Sequence, residues 1–376
     1  MRILQLMSCR GWSSDAYWAA RISVELERAG HQVTLVCKRG SDSRVIRRAR
    51  DAGVSRIETL GFAGGVKPAS DASDVRRLRA WIEETDIVHV HRGKEHWLAA
   101  VANRLSGRPR PLVRTRHIVQ PVRPHPLNRW LYREATQLVV TVTDAIRRQY
   151  IAGEFVSPER VVALPGGVDV TRFQPGVDGT TWRRALGIAA GVPLIGLVSG
   201  FRVMKGHQVA IDAALALANA GRRYHMVFVG HGGLESRIRQ AIVAAGLTSR
   251  IGVLGFVPDL PSAMAGLDVA LYPAVESDGM SRVVFEYLAM GKPVVASRIG
   301  VVAEVLEDDR TALLVPAGDA PALSRAIGRL LEDEGLGRRL GQAAADLART
   351  RLSGAAVADR LAPLYSRLVR EARGAA

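Results

Sequence analysis

The sequence has no long apolar run and only two cysteines. No stretch of about 18 uncharged apolar residues occurs, so we expect no helix that spans a membrane. The first residues contain only a short apolar run, which predicts a first β-strand rather than the core of a secretion signal. Cys9 and Cys37 are too few for a disulfide framework or a four-ligand zinc site, so we expect free thiols in a reducing cytoplasm.

Acidic residues are missing from one stretch of the first half. The first 187 residues hold 31 basic and 18 acidic residues, and the remainder holds 21 and 18, so most of the net charge of +16 lies in the first half. This asymmetry indicates an anionic partner there: a nucleic acid, an anionic membrane surface or a phosphorylated substrate. Between Glu95 and Glu134 the only charged residues are arginines: Arg104, Arg108, Arg110, Arg114, Arg116, Arg123, Arg129 and Arg133.

Short apolar runs alternate with helical patterns along the chain. Most of these runs are continuous and β-branched, which is typical of parallel strands covered by helices on both faces. The predicted strands are 2–7, 32–37, 86–91, 111–115, 137–142, 161–164, 194–199, 225–230, 250–255, 268–273, 293–297 and 312–316. The alternation predicts an α/β protein with two doubly wound, Rossmann-like domains.

A Gly- and Pro-containing stretch, 173–193, separates the two sets of strands and is the expected linker. We therefore predict an N-terminal domain over 1–175, a C-terminal domain over 190–353, and a final helix in 354–376 that crosses back to the first domain. Ligands of such sheets bind at the carboxyl ends of the strands, so a cleft between the domains is the expected active site.

The loop after the strand 194–199 carries two cations. Gly200 ends the strand pattern, Arg202 and Lys205 follow, and a helix is predicted to open at Gly206. Cations beside a helix N-terminus suit a diphosphate, although two solvated surface side chains would give the same pattern. The spacing matches neither a P-loop nor G-x-G-x-x-G, which argues against a dinucleotide cofactor.

An acidic loop follows the strand 268–273. A helix is predicted from near Gly279 to Met290, with Asp278 at its N-terminal edge and Glu286 two turns further on. Both carboxylates could bind sugar hydroxyls, although Asp278 could equally be a simple N-cap. Phosphate or hydroxyl oxygens could also bind the backbone amides of Gly279, Met280 and Ser281.

These motifs together resemble those of the retaining glycosyltransferases of family four, which have the GT-B fold. The family's paired glutamates, with seven residues between them, correspond to D-G-M-S-R-V-V-F-E-Y-L-A-M-G-K-P-V-V, where the first acid is Asp278 and the second is Glu286. The resemblance continues, over nearly the whole chain, in S-G-F-R-V-M-K-G, V-G-H-G-G, G-F-V-P, L-P-G-G-V-D-V-T-R-F-Q-P and D-I-V-H-V-H.

The resemblance implies a nucleotide-sugar site in the second domain. Arg202 and Lys205 would hold the donor diphosphate and stabilise the leaving nucleotide. Glu286 would bind the ribose, and Asp278 would bind hydroxyls of the transferred sugar. Two further segments would supply backbone contacts and the base pocket: Gly279, Met280 and Ser281, and Phe256, Val257 and Pro258.

It also implies two contributions from the first domain. His117, in V-R-T-R-H-I, matches the histidine that lies beside the reacting sugar. Gly11 matches the position where family members approach the donor, although R-G-W-S-S lacks the usual adjoining glycine pair. The remaining histidines show no H-E-x-x-H spacing, and His96 and His125 are expected at the surface.

The expected enzyme transfers a sugar from a nucleotide-diphosphate sugar to a lipid-linked or polysaccharide acceptor, such as a lipopolysaccharide. No D-x-D follows an apolar strand, so we expect no metal, and no cofactor apart from the donor substrate. The basic first domain would meet an anionic glycan or the cytoplasmic face of the inner membrane, as a peripheral cytoplasmic protein.

Three other readings are weaker. One is a sugar-nucleotide epimerase or a phosphorylase of the same fold, which would need added acid and base groups or a pyridoxal lysine. Another is a nucleotide-sugar-binding protein with weakened catalysis, which Asp278 in place of glutamate would favour. A nucleic-acid binder is disfavoured because the basic stretch has few stacking aromatics beyond Trp130 and Tyr132.

Overall fold

A computed structural model describes residues 1–277 and 279–374. Contacts divide the chain into two units. Unit 1 holds Met1–Gly167 and the C-terminal segment from Gly354, and unit 2 holds Val168–Ser353. Each unit contains one parallel sheet flanked by helices, which confirms the prediction of two Rossmann-like α/β domains.

Unit 1 has a seven-stranded parallel sheet in the order β3-β2-β1-β4-β5-β6-β7. Its strands are β1 (Arg2–Met7), β2 (Gln32–Lys38), β3 (Ile57–Leu60), β4 (Ile87–Val90), β5 (Leu112–Arg116), β6 (Leu138–Thr141) and β7 (Val161–Ala163). Its α-helices are α1 (Ser14–Arg28), α2 (Arg47–Asp51), α3 (Pro68–Glu83), α4 (Gly93–Arg104), α5 (Pro126–Trp130), α6 (Asp144–Ala152) and, at the end of the chain, α15 (Gly354–Gly374).

Unit 2 has a six-stranded parallel sheet in the order β10-β9-β8-β11-β12-β13. Its strands are β8 (Leu194–Val198), β9 (His225–Val229), β10 (Ile251–Leu254), β11 (Val269–Tyr272), β12 (Val294–Ser297) and β13 (Leu313–Val315). Its α-helices are α7 (Thr180–Ala185), α8 (His207–Asn219), α9 (Glu235–Ala244), α10 (Leu260–Ala265), α11 (Arg282–Ala289), α12 (Gly300–Val305), α13 (Ala320–Glu332) and α14 (Glu334–Leu347).

Each strand predicted from a continuous apolar run overlaps a strand of the structure. The central strands are buried along their whole length because helices cover both faces of the sheet. One strand was missed: β3 lies at the edge of its sheet, and three of its four residues are only partly buried. An edge strand does not need the continuous apolar sequence on which the predictions relied.

Helix α15 packs against α1 and completes the core of unit 1. Its side chains Val357, Leu361 and Tyr365 recur every four residues, and all three are fully buried. Gly354 begins the helix where a β-carbon would lie 2.9 Å from Cγ of Arg21 on α1, so the small residue permits the close approach. None of the helices in the described part of the chain is both long enough and apolar enough to cross a lipid bilayer.

Candidate active site

In unit 2 the loop after β8 holds both predicted phosphate ligands. Arg202 lies just before a single 3-10 turn, Val203–Lys205, which leads directly into α8. Gly206 joins the two with a φ of 72°, and a β-carbon there would lie 1.8 Å from the carbonyl oxygen of Pro273. The glycine therefore lets the first turn of α8 pack directly against the backbone that follows β11.

The loop after β9 packs against the loop after β8. The backbone N–H of Phe201 donates to the carbonyl oxygen of His231 at 3.0 Å, and a β-carbon at Gly232 would collide with the backbone of Phe201. His207, the first residue of α8, lies 3.3 Å from the hydroxyl of Ser199 through Nε2. Burial and the nearby Lys205 lower the pKa of His207 to about 4, so it is neutral at physiological pH.

The segments after β8 and β11 meet at the carboxyl edge of the sheet, because these two strands are neighbours. Lys205 is buried, and its Nζ lies 5.7 Å from the centre of the Tyr272 ring. The Tyr272 hydroxyl is 2.5 Å from the hydroxyl of Ser281. The backbone N–H of Val275 donates to the carbonyl oxygen of Met204 at 2.9 Å. The structure thus brings Lys205 and Ser281 to one place, where the strand order reverses and ligands of such folds bind.

The helix after this loop starts later than predicted. It was expected from near Gly279, but α11 begins at Arg282. Ser281 adopts the left-handed conformation, with a φ of 48° and a ψ of 49°, and Gly279 has a φ of 100°, so neither can belong to a right-handed helix. Met280 between them is buried. Asp278, the predicted sugar ligand, lies outside the described residues.

Glu286 is a buried carboxylate in the middle of α11, with only 2% of its surface exposed. Its Oε1 lies 3.1 Å from Nε of Arg282, one turn earlier on the helix. Burial raises the pKa of Glu286, and the charges of Arg282 and Arg172 oppose that rise. The ion pair with Arg282 offsets part of the cost of burying this acid. The role of Glu286 in binding the ribose stays a prediction.

The predicted base-pocket segment, Phe256–Pro258, follows β10 at the edge of the sheet. Phe256 is 69% exposed, which is unusual for a phenylalanine in a packed domain. The assignment of this segment to a nucleotide base stays a prediction.

In unit 1 an ion pair joins Asp15, at the start of α1, to Arg92, which follows β4. Nε of Arg92 donates to Oδ2 of Asp15 at 2.5 Å. Burial disfavours the charged form of Asp15, but the hydrogen bonds from Arg92 and Ser13 and the nearby positive charge together outweigh it and lower the pKa of this carboxyl. Oε1 of the fully buried Glu95 accepts from the backbone N–H groups of Ser8 and Arg92, at 3.2 and 2.7 Å. Gly11 lies in the loop after β1 with open space around its β-carbon position.

His117 follows the last residue of β5 and is 7% exposed. It belongs to a group of buried histidines: Nε2 of His117 lies 3.2 Å from Nδ1 of His91, and the two rings flank the edge of Trp18. Burial lowers the pKa of His117 to about 3, with Asp15 opposing and Arg114 reinforcing the shift. The side chain is therefore neutral at physiological pH, and it can accept a hydrogen bond but cannot serve as a cation.

Two sequence expectations about unit 1 side chains are wrong. His96 was expected at the surface but is 1% exposed, because α4 packs it against Tyr132 and hydrogen-bonds it to Thr136. Arg114, counted with the basic stretch, is only 3% exposed, so it cannot contact an anionic partner at the surface. Sequence reasoning also missed Gln5, Asp15 and Arg92, since no local motif marks them.

The described residues contain no group of three or more histidine, cysteine or acidic side chains placed to hold a metal ion. A cavity of about 490 Å³ in unit 2 lies at the amino ends of β8, β11 and β12, away from Arg202. Lys292 lines it, but its Nζ donates to the carbonyl oxygens of Ala265 and Leu267, at 2.5 and 2.9 Å. This lysine thus anchors two backbone groups and is poorly placed to carry a pyridoxal cofactor.

Two family models match the chain. The model for Glycosyltransferase Family 4 matches residues 16–172, and the model for Glycosyl transferases group 1 matches residues 192–333. Together they cover most of the chain, one in each unit. The protein therefore belongs to the glycosyltransferases that combine a Family 4 domain with a group 1 domain, and it is a glycosyltransferase with the GT-B fold.

Similar proteins agree with this assignment. The chain is 29% identical, over 79% of its length and 81% of the relative, to a 2-deoxystreptamine glucosyltransferase of Streptomyces kanamyceticus. It is 30% identical to the lipopolysaccharide core biosynthesis mannosyltransferase LpsB of Rhizobium meliloti, over 49% of this chain and 54% of LpsB. Among solved structures, Anabaena HepE in complex with UDP superposes with a TM-score of 0.83 at 21% identity, over 98% of this chain and all of HepE.

Proposed function

We propose that the protein is a retaining glycosyltransferase that moves a sugar from a nucleotide-diphosphate sugar to a lipid-linked or polysaccharide acceptor of the cell envelope. The observation that carries the donor assignment is the packing of the Arg202–Lys205 turn, at the start of α8, beside the left-handed Ser281. Cations and free helix amides at one sheet edge form an anion site. UDP is the first nucleotide to test, since it is bound in HepE.

In the proposed reaction the bond between the sugar and the phosphate breaks, and the sugar becomes oxocarbenium-like. Arg202, Lys205 and the N-terminus of α8 stabilise the negative charge that grows on the leaving diphosphate. The acceptor hydroxyl then attacks from the face that the phosphate leaves, and the departing phosphate takes its proton. His117 and Asp278 would bind hydroxyls of the transferred sugar, and Glu286 would bind the ribose. Cations of the protein would replace a metal ion.

Thermal unfolding in the presence of UDP, GDP, ADP or TDP, without metal, tests the donor site. A nucleotide at 100 times its dissociation constant should stabilise the protein by about 2.7 kcal/mol. The stabilisation should disappear when Arg202→Ala and Lys205→Ala are combined. It should persist in Arg338→Ala, which removes an exposed arginine at the other end of the same sheet. No stabilisation by any nucleotide in the wild-type protein would contradict the proposal.

The stereochemistry needs a separate measurement. The anomeric configuration of the product, read by NMR and compared with that of the donor, should be unchanged. A product with inverted configuration would be consistent with a glycosyltransferase but would contradict the retaining mechanism. Turnover should also survive a chelator, because no metal takes part in the proposed reaction.

A lipid-linked acceptor is supported by the outer surface of α4. Trp97 and the exposed Val101 and Leu105 recur every four residues, so they form one stripe along the helix. Trp130 of α5 stacks on Trp97 with ring centres 5.9 Å apart, and one turn before it Leu127 is 59% exposed. We call Trp97, Val101, Leu105, Leu127 and Trp130 the α4–α5 surface.

Several exposed arginines lie close in sequence to the residues of the α4–α5 surface, among them Arg104, Arg108 and Arg123. The segment contains no acid between Glu95 and Glu134, so its charge complements an anionic bilayer. Tryptophan and aliphatic side chains would enter the interface while the arginines contact phosphates. This arrangement supports peripheral attachment to a membrane that presents the acceptor.

Flotation with lipid vesicles tests the attachment. The wild-type protein should float with phosphatidylglycerol-containing vesicles, and salt should release it. Val101→Ser combined with Leu105→Ser should reduce binding. Val243→Ser, which removes an even more exposed apolar side chain from unit 2, should not. Binding that is unchanged by the paired substitution would favour a water-soluble glycan as the acceptor.

A further inference from the structure

A chain of three buried polar side chains runs across the sheet of unit 1. Gln5 lies in β1, His91 follows β4 and His117 follows β5, and these strands are adjacent in the sheet. Oε1 of Gln5 lies 2.7 Å from Nε2 of His91, and Nδ1 of His91 lies 3.2 Å from Nε2 of His117. The exposed fractions are 0%, 2% and 7%, so water competes little for these hydrogen bonds.

The identities of the atoms fix the direction of each hydrogen bond. The amide oxygen of Gln5 carries no proton, so Nε2–H of His91 must donate to it. Burial lowers the pKa values of His91 and His117, so both imidazoles are neutral and each has a single N–H. Nδ1 of His91 therefore has only a lone pair, and Nε2–H of His117 donates to it.

One consequence concerns the remaining nitrogen of His117. Its Nδ1 is left with a lone pair, and the described residues offer it no hydrogen-bond partner. The nitrogen is also buried, so leaving it unpaired costs free energy unless a ligand or a water completes the bond. A sugar hydroxyl, which can donate a proton, suits this site.

We propose that Gln5 and His91 are positioning residues that hold His117 in its Nε2–H tautomer, so that Nδ1 accepts a hydrogen bond from a hydroxyl of the transferred sugar. This inference rests on the proposed function, which supplies the sugar. Trp18 supports the arrangement, because its ring centre lies 5.6 Å from that of His91 and 5.5 Å from that of His117. In the opposite tautomer an N–H would occupy the position of the lone pair.

A neighbouring pair of contacts provides a matched control. The hydroxyl of Tyr365 on α15 lies 2.5 Å from Nδ1 of His89, whose Nε2 is 2.6 Å from the hydroxyl of Thr115. This buried network resembles the first in size and burial. The ring centres of His89 and His91 are 4.6 Å apart, but within the described residues no hydrogen bond joins the network to His117. Tyr365→Phe therefore tests the effect of disturbing a buried histidine, His89, that is not part of the hydrogen-bonded series Gln5–His91–His117.

The first measurement is the pattern of imidazole nitrogen shifts in NMR spectra of the isotopically labelled wild-type protein. His117 should show a protonated Nε2 and an unprotonated Nδ1. In Gln5→Met, which keeps the length of the side chain but removes the acceptor, this tautomer should lose its preference. Gln5→Glu keeps an acceptor oxygen and should keep the wild-type tautomer. A protonated Nδ1 in the wild-type protein would overturn the inference without any variant.

Kinetics provide the functional measurement. For Gln5→Met, kcat/KM with the sugar donor should fall roughly tenfold, the equivalent of one hydrogen bond. The dissociation constant of the nucleoside diphosphate alone should not change, because it lacks the sugar. Gln5→Glu should restore most of kcat/KM, and Tyr365→Phe should leave it near the wild-type value.

The possible failures are distinguishable. If the wild-type protein neither binds a nucleotide nor turns over, the proposed function fails. If it does both, but Gln5→Met keeps the tautomer and kcat/KM of the wild-type protein, or Tyr365→Phe impairs kcat/KM as much, the positioning role fails while the function stands.

Discussion

At the scale of single residues, the predicted donor site depends on backbone conformations that most amino acids avoid. Gly206 and Ser281 both have positive φ values, and both adjoin the first turn of a helix in unit 2. Glycine adopts this conformation without cost, whereas a residue with a β-carbon loses about 1–2 kcal/mol. Ser281 is held there by its contact with the buried Tyr272. Such strain is found where function requires a fixed backbone.

Gly206→Ala separates conformational strain from steric collision. The new β-carbon would meet the carbonyl oxygen of Pro273 at 1.8 Å, so forced movement adds roughly 1–3 kcal/mol to the cost of the positive φ. Urea unfolding should therefore show that Gly206→Ala lowers the free energy of unfolding more than Gly221→Ala does. Gly221 has a φ of 69° with no atom near its β-carbon position, so only the conformational cost applies. If both variants lose the same free energy of unfolding, the backbone at Pro273 moves away from the new β-carbon without cost.

Nucleotide binding should follow the same order. Gly206→Ala displaces the first turn of α8, whereas Gly221 lies beyond the far end of that helix. The stabilisation by a nucleotide should thus fall in the first variant and persist in the second.

At the scale of elements, the sequence predicts the sheets well because continuous β-branched runs identify central strands. It fails where the determining contact is not local. The edge strand β3 mixes Glu58 and Thr59 with apolar residues, so no run marks it. The start of α11 is set by the left-handed Ser281, whose partner Tyr272 lies on the preceding strand.

The candidate site divides in the same way. Motif spacing predicts Arg202, Lys205 and Glu286 as site residues, since each lies in a loop or helix that has a recognisable local pattern. Gln5 and His91 are 86 residues apart and meet only because β1 and β4 are neighbours in the sheet. Their role could not be predicted until the strand order was known.

Helix α11 carries a buried charge whose removal should stabilise the protein. The pKa of Glu286 is raised by burial, so its ionised form is less favourable in the folded state than in the unfolded one. Its contribution to stability is greatest at low pH, where the carboxyl is protonated in both states, and falls as the pH rises through the folded pKa. Glu286→Gln should therefore raise the melting temperature at neutral pH, because the partly exposed Arg282 can be hydrated instead.

The pH dependence of that difference is the decisive observation. The advantage of Glu286→Gln should shrink below the usual range of glutamate pKa values, and stabilisation by the nucleotide should be lost at every pH. A variant that is less stable than the wild-type protein at neutral pH would show that the ion pair with Arg282 outweighs the cost of burial.

At the scale of the whole molecule, the two units differ in how the chain builds them. Unit 2 is one continuous segment, Val168–Ser353, whose ends are joined by the hydrogen bond from the backbone N–H of Val168 to the carbonyl oxygen of Leu352, at 3.1 Å. Unit 1 is discontinuous, because α15 comes from the far end of the chain. The basic excess is also concentrated in the first half, which supplies most of unit 1.

This difference predicts opposite behaviour for the two fragments. Residues 168–353 retain a complete sheet and a buried core that includes Leu197, Phe228 and Leu271, so this fragment should fold alone and unfold cooperatively. Residues 1–167 lack α15, so α1 loses its packing partner and His89 loses the hydroxyl of Tyr365. That fragment should be unfolded or lack cooperative unfolding, as measured by circular dichroism, and a peptide of residues 354–374 added in trans should restore cooperativity. Full stability of 1–167 alone would show that α15 contributes little to the core, and the burial of Tyr365 would then have no energetic consequence.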